Sequence, residues 1–200
     1  MPNIRTTSHV CPQYAALASN PKRNPTAAAI LSAISDIIQA RVQQRGDGTP
    51  AKITPTHYFA TLMTALDEGN PSDRQDCMFL LKLLLPHVSQ AVLRSKFVDT
   101  MDVFSNVLNG GGQGAGSITN PLVRHLIECI GMVLAAQQCA PTFWAQPKTL
   151  QSFNAILNLI VDERPKIRKS SHEAIRTLLR GGHARYLANN IVLCLEQLLK

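Results

Sequence analysis

Residues 161–179 read VDERPKIRKSSHEAIRTLL and are the most charge-dense stretch of the chain. Arg164, Lys166, Arg168, Lys169 and Arg176 stand among Asp162, Glu163 and Glu173. Ile167, Ser171, Ala174, Ile175 and Leu178 recur behind them at three-to-four spacing, which predicts one helix with a single inward face. Pro165 suits the first turn of that helix, where a missing N–H costs nothing. Asp162 lies in the turn before it, and Arg168 follows six residues later inside it. Lys169, His172, Arg176 and Arg180 fall on a stripe away from the apolar positions.

The same grammar extends along the chain. Residues 26–45, 54–69, 72–85, 86–108, 119–139, 148–161, 164–180 and 183–199 each read as a helix or a bent helix pair, joined by short turns marked by Pro or Gly. Thr54 before Pro55, and Asn120 before Pro121, are predicted starts, Thr26 is a predicted N-cap, and Gly69 is a predicted stop. No segment alternates with the period of a strand. Taken in order, the helices pair as 26–45 with 54–69, 72–85 with 86–108, 119–139 with 148–161, and 164–180 with 183–199. Antiparallel pairs repeating near forty residues predict an all-α fold, an α-solenoid of HEAT or armadillo-like repeats. In a HEAT-type unit the turn aspartate caps the second helix and the arginine six residues on reaches the aspartate of a neighbouring unit. Asp162 and Arg168 are therefore the predicted structural ladder.

Residues 1–25 mix Pro, Asn, Ser and Thr without apolar periodicity and read as an irregular lead-in, with at most one turn at Tyr14–Leu17. Residues 26–200 form the predicted solenoid segment. It is interrupted by a glycine-rich loop at 109–118, where five glycines fall between residues 110 and 116. That loop lacks the preceding strand and the following Gly-Lys-Ser/Thr that a phosphate cradle requires.

Composition narrows the function. Of 200 residues, 45% are hydrophobic but only 5% aromatic, which suits helices packed on helices. The net charge is +7, and residues 111–200 hold ten Lys/Arg against five Asp/Glu, so an acidic partner would be drawn to the C-terminal half. Five scattered cysteines without a CxxC pair read as reduced thiols of an intracellular protein. The longest apolar stretch, CMFLLKLLLP at 77–86, is too short for a bilayer, so no membrane association is expected. His125, Glu128 and Cys129 share a helix but lack further metal ligands, and Asp67/Glu68 with Asp73/Asp76 read as helix-end residues. No nucleophile elbow, metalloprotease or Walker motif occurs. The expectation is a protein without catalytic residues, cofactor or metal. Trp144, the one tryptophan, is expected to plug a joint between helices.

Several blocks carry a resemblance: YFATLMTAL at 58–66, LLLPHVSQAVLRSKFVDTMDVFSNVL at 83–108, the glycine-rich gap, FWAQPKTLQSFNAILNLIVDERPKIRKSSHEAI at 143–175, and NNIVLCLEQLLK at 189–200. In order and spacing they resemble the N-terminal HEAT region of the ribosomal RNA-processing protein 12 family. The resemblance covers residues 55–200 and rests on helix-packing patterns. It implies a nuclear and nucleolar scaffold, shuttling to the cytoplasm, that binds pre-ribosomal RNA and pre-ribosomal particles alongside other assembly or export proteins. It also implies support of rRNA processing and nuclear export of ribosomal subunits. Members of that family are much longer, so the chain is expected to be one part of a longer array. The basic residues Lys166, Lys169, Arg176, Arg180 and Arg185 are the expected RNA or partner contacts. Read from the residues alone, the same stripe is equally a solvated face, or the surface of a HEAT adaptor for an acidic protein that does not bind RNA.

Overall fold

The computed structural model describes residues 9–44, 52–108, 118–188 and 191–192. Ten α-helices are delimited among them: α1 (Pro12–Ser19), α2 (Pro25–Gln44), α3 (Pro55–Glu68), α4 (Arg74–Leu84), α5 (Gln90–Ser95), α6 (Phe97–Leu108), α7 (Asn120–Ala135), α8 (Pro141–Trp144), α9 (Pro147–Leu157) and α10 (Pro165–Leu178). No strand occurs among the described residues. The glycine-rich stretch, apart from Ile118, and most of the predicted helix at 183–199 lie outside them.

Helix starts follow side-chain chemistry. Thr54 and His57 form a reciprocal cap at α3, with the Thr54 N–H donating to His57 Nδ1 at 3.1 Å. Thr119, one residue before the predicted cap, accepts the Leu122 N–H at α7. At α2 the cap is Asn24 rather than Thr26: Asn24 Oδ1 accepts the Ala27 N–H, because Pro25 already occupies the first turn.

The helices form two layers. α2, α4, α7 and α10 lie side by side in one, and α3, α6 and α9 back them in the other. Within the first layer the helices run parallel, since contacting positions rise together: Gln75 meets Thr119 and Lys82 meets Glu128, then Asn120 meets Arg164, Glu128 meets Ser170 and Gly131 meets Ala174. Five of the hydrogen bonds between successive units recur at sequence offsets of 42 to 44 residues. A constant offset of that size is the signature of an α-solenoid.

The layering corrects the predicted pairing by one helix. The antiparallel units are α3 with α4, α6 with α7, and α9 with α10. The turn at 158–164 is thus inside a unit, as the Asp162 position requires, and the glycine-rich stretch joins two helices of one unit. Every joint carries the same Pro or Gly punctuation, so phase is set by which apolar faces meet.

A second correction concerns residues 1–25. Within the described part of that lead-in, residues 12–19 form helix α1, and Tyr14 is fully buried against Tyr58 with its hydroxyl donating to the Leu80 carbonyl at 2.8 Å. Cys11 is buried as well, its thiol 3.4 Å from the Leu83 carbonyl. The helix has almost no apolar face of its own. It exists because one ring and one thiol enter the groove beside α4, each removing apolar surface from water.

The core runs continuously through both layers. α7, central in the first layer, buries nine residues, including Leu122, Leu126, Ile130 and Val133 at three-to-four spacing. Each such aliphatic side chain contributes about 1.5–3 kcal/mol of transfer free energy. Trp144 fills the joint between α7, α9 and α10, in T-shaped contact with Phe143, Phe153 and His183.

Candidate functional site

The basic residues singled out in the sequence come to one region but to different surroundings. Lys166 and Lys169 are exposed on α10 along the edge of a groove of about 680 Å³ between α4, α7 and α10. Arg176, two turns on, pairs with Glu173 at 3.5 Å on the exposed surface. Arg180 is exposed in the tight turn that follows, whose Gly182 takes a φ of 85°, a conformation that suits only glycine without strain. Arg185 stacks its guanidinium 4.7 Å from the Tyr186 ring centre, and the Tyr186 hydroxyl donates to the Cys139 carbonyl. All five stay accessible, and Lys166, Lys169 and Arg176 lie on the side of α10 away from the buried Ile167, Ser171 and Leu178.

The ladder residues behave differently from expectation. Asp162 accepts the Arg164 backbone N–H at 2.8 Å and two bonds from the Arg164 guanidinium, so Arg164 holds its carboxyl low, at about 2. Arg168 donates to the carbonyl of Asp162 itself at 2.8 Å, pinning its own turn. The link to the preceding unit is made by Arg164, whose Nη1 donates to Asn120 Oδ1 at 3.1 Å. The physical reason is reach: Arg168, six residues into the unit, is already spent on the turn, whereas Arg164 at the helix start faces the start of α7.

Sequence reasoning missed the other wall of the groove. Lys82 of α4 and Glu128 of α7 form a half-buried ion pair at 2.6 Å, and His125 Nδ1 lies 3.8 Å from the same carboxylate. Burial alone pushes the Glu128 carboxyl up, but the close approach of His125 and Lys82 holds it at about 2. Arg124 lines the groove one turn away, with its Nε buried and without a hydrogen-bond partner. The floor is made of Gly131, Met132, Pro86 and Ala174. These residues sit on three helices dispersed over about a hundred positions of chain, and only the roughly 44-residue offset could have brought them together on paper.

A consequence for pH follows. The folded-state value of Glu128 lies below its ordinary value of about 4.3, so its contribution to stability is complete above that value. It is lost as pH falls through about 2. Acid titration followed by circular dichroism should show Glu128→Gln to be less stable than the parent at pH 6, with the gap closing below pH of about 3. An unchanged gap across that range would show that the pair contributes no pH-dependent stability.

Among the described residues no group of three or more His, Cys, Asp or Glu could hold a metal ion, and no helix is long and apolar enough to cross a membrane. His125 faces Phe79 and Glu128, while Cys129 is fully buried beneath Met78. Asp73 and Asp76 stand at the start of α4, as helix-end residues do.

Against known proteins, residues 18–190 match the family model described as RRP12-like, N-terminal HEAT repeats. The chain is 32% identical to the RRP12-like protein of Gallus gallus over 164 residues, and 29% identical to that of Homo sapiens over the same length. In both cases the aligned part is 82% of this chain and 12% of the relative. Ribosomal RNA-processing protein 12 of Saccharomyces cerevisiae is 26% identical over 135 residues, 62% of this chain and 11% of that protein. The chain therefore spans about one eighth of the length of these relatives. The parallel layer, the constant offset between units and a match over most of the chain agree: this chain belongs to the RRP12-like family and corresponds to its N-terminal HEAT repeats.

Proposed function

We propose that the chain is a non-enzymatic scaffold segment in ribosome biogenesis. It engages pre-ribosomal RNA and pre-ribosomal particles, in the nucleus and nucleolus with passage to the cytoplasm, and supports rRNA processing and export of ribosomal subunits alongside other assembly or export proteins. Support comes from the family, one of whose members is named for ribosomal RNA processing, and from one observation on the surface. Lys166, Lys169 and Arg176 are solvent-facing on α10, Arg180 in the turn after it and Arg185 just beyond that turn. A row of cations at helical spacing is suited to the phosphates of a folded RNA, whose binding is driven by counterion release. The adaptor reading, without RNA, rests on the same charges.

Recovery of tagged chain from a nuclear extract, probed for small-subunit precursor rRNA, separates the two. The scaffold reading expects the precursor to come down with the chain and to be lost when Lys166, Lys169, Arg176 and Arg180 are changed to Glu. Binding to a single-stranded RNA should then lose about 0.7 units of salt-dependence slope per contact removed. Discrete proteins that co-purify regardless of ribonuclease, with no precursor, would instead make the chain an adaptor.

A further inference from the structure

We infer that the groove between α4, α7 and α10 docks an acidic peptide segment of a protein partner, one carrying apolar side chains between its carboxylates. The inference rests on the scaffold reading, because it assigns a partner to one part of the surface used there. Charge supplies the first reason. Lys82 is neutralised by Glu128, and Glu173 by Arg176 from outside, whereas Arg124, Lys166 and Lys169 face the groove with no carboxylate paired to them among the described residues.

Arg124 supplies the second. Its Nε is buried without an acceptor, and a donor left unpaired away from water is costly. A carboxylate entering the groove would give that guanidinium the planar, two-oxygen partner it lacks. Lys166 and Lys169, one turn apart on the lip, would meet the next acidic side chains along the same segment.

The remaining lining favours protein over nucleic acid. Met132, Pro86, Gly131 and Ala174 make an apolar floor between the charged walls, a match for aliphatic side chains and not for a sugar–phosphate backbone. On this division Lys166 and Lys169 serve the peptide, and Arg176, Arg180 and Arg185 remain for RNA.

The test pans a library of random 16-residue peptides against the chain and measures the selected peptides by fluorescence anisotropy. The result expected is a set rich in Asp and Glu around Leu, Ile or Phe, with affinity falling about tenfold or more in Lys166→Glu/Lys169→Glu. Arg124→Gln should weaken the same peptides. Arg180→Glu/Arg185→Glu, which keeps the Arg176–Glu173 pair, should leave peptide affinity within about twofold, since rim charges outside a contact change it little, while weakening binding of a 20-nucleotide uridine RNA. Circular dichroism identifies any variant that has failed to fold, and the exposed lysine pair then carries the test alone. Selected peptides without acidic bias, no selected peptide at all, or acidic peptides indifferent to Lys166→Glu/Lys169→Glu would each overturn the inference. So would displacement of the peptides by the uridine RNA, an outcome that leaves RNA binding by the scaffold intact. Absence of RNA binding by the parent chain, with peptide binding intact, would instead count against the scaffold reading and leave the peptide groove standing.

Discussion

Trp144→Ala is expected to lower stability by about 3–5 kcal/mol, the range for removing a large buried aromatic side chain. Trp144 is 3% exposed and touches Phe143, Phe153 and His183 edge to face. Its indole N–H also donates to His183 Nδ1 at 3.1 Å. Because an indole can only donate, that nitrogen carries no proton, and His183 is held neutral; burial pushes its pKa down in the same direction, with a backbone bond at Ala135 opposing. The substitution therefore opens a cavity and strips a buried acceptor at once. Trp144→Phe keeps most of the packing and should cost only about 1–3 kcal/mol, the penalty for the lost indole hydrogen bond together with the smaller ring. Urea unfolding followed at 222 nm checks both, since the change removes the only tryptophan and with it the fluorescence signal. A loss below about 1 kcal/mol for the alanine variant would mean that α9 and α10 close over the gap.

Gly131→Val should be destabilising by about 1–3 kcal/mol, although glycine in a helix interior is itself a poor helix former. A Cβ at position 131 would lie 2.9 Å from the Cβ of Ala174, so α7 and α10 touch nearly backbone to backbone there. In an isolated helix, Gly131→Ala would gain about 1 kcal/mol. The sign of the effect thus reports on the crossing. Pairing Gly131→Ala with Ala174→Gly should recover much of the loss, and a double-mutant cycle measures the coupling. Additive single effects would mean that the helices are not held at this distance in solution.

Helix content was legible because each helix repeats one simple pattern. In α10 the predicted inward residues Ile167, Ser171, Ala174 and Leu178 are the buried ones, and Ile175 is partly buried. In α2 Ile34 and Ile38 are buried, but Ile37, equally apolar, is exposed, and Leu31 and Ser35 take the inward place. A sequence rich in isoleucine offers more apolar positions than one face can bury, and the neighbours choose among them. Tyr14 shows a different limit. It is one aromatic residue in a polar, alanine-rich segment, and its burial is decided by Leu80, 66 residues away. The basic edge of the candidate surface could be read from α10 alone. Its opposite wall could not, because Lys82 and Arg124 look unremarkable on their own helices until the layer sets them beside Lys166.

The constant spacing between stacked units has a kinetic corollary. Since most partners in adjacent units are separated by about 42 to 47 residues, the chain entropy lost in closing each new contact is nearly the same at every step. Adding units would lengthen the protein without lengthening its longest closure, so the search for each native contact stays local however long the array becomes. Growth of this kind proceeds from whichever neighbouring pair forms first, in either direction along the stack, and a nascent chain could begin it once two units have emerged.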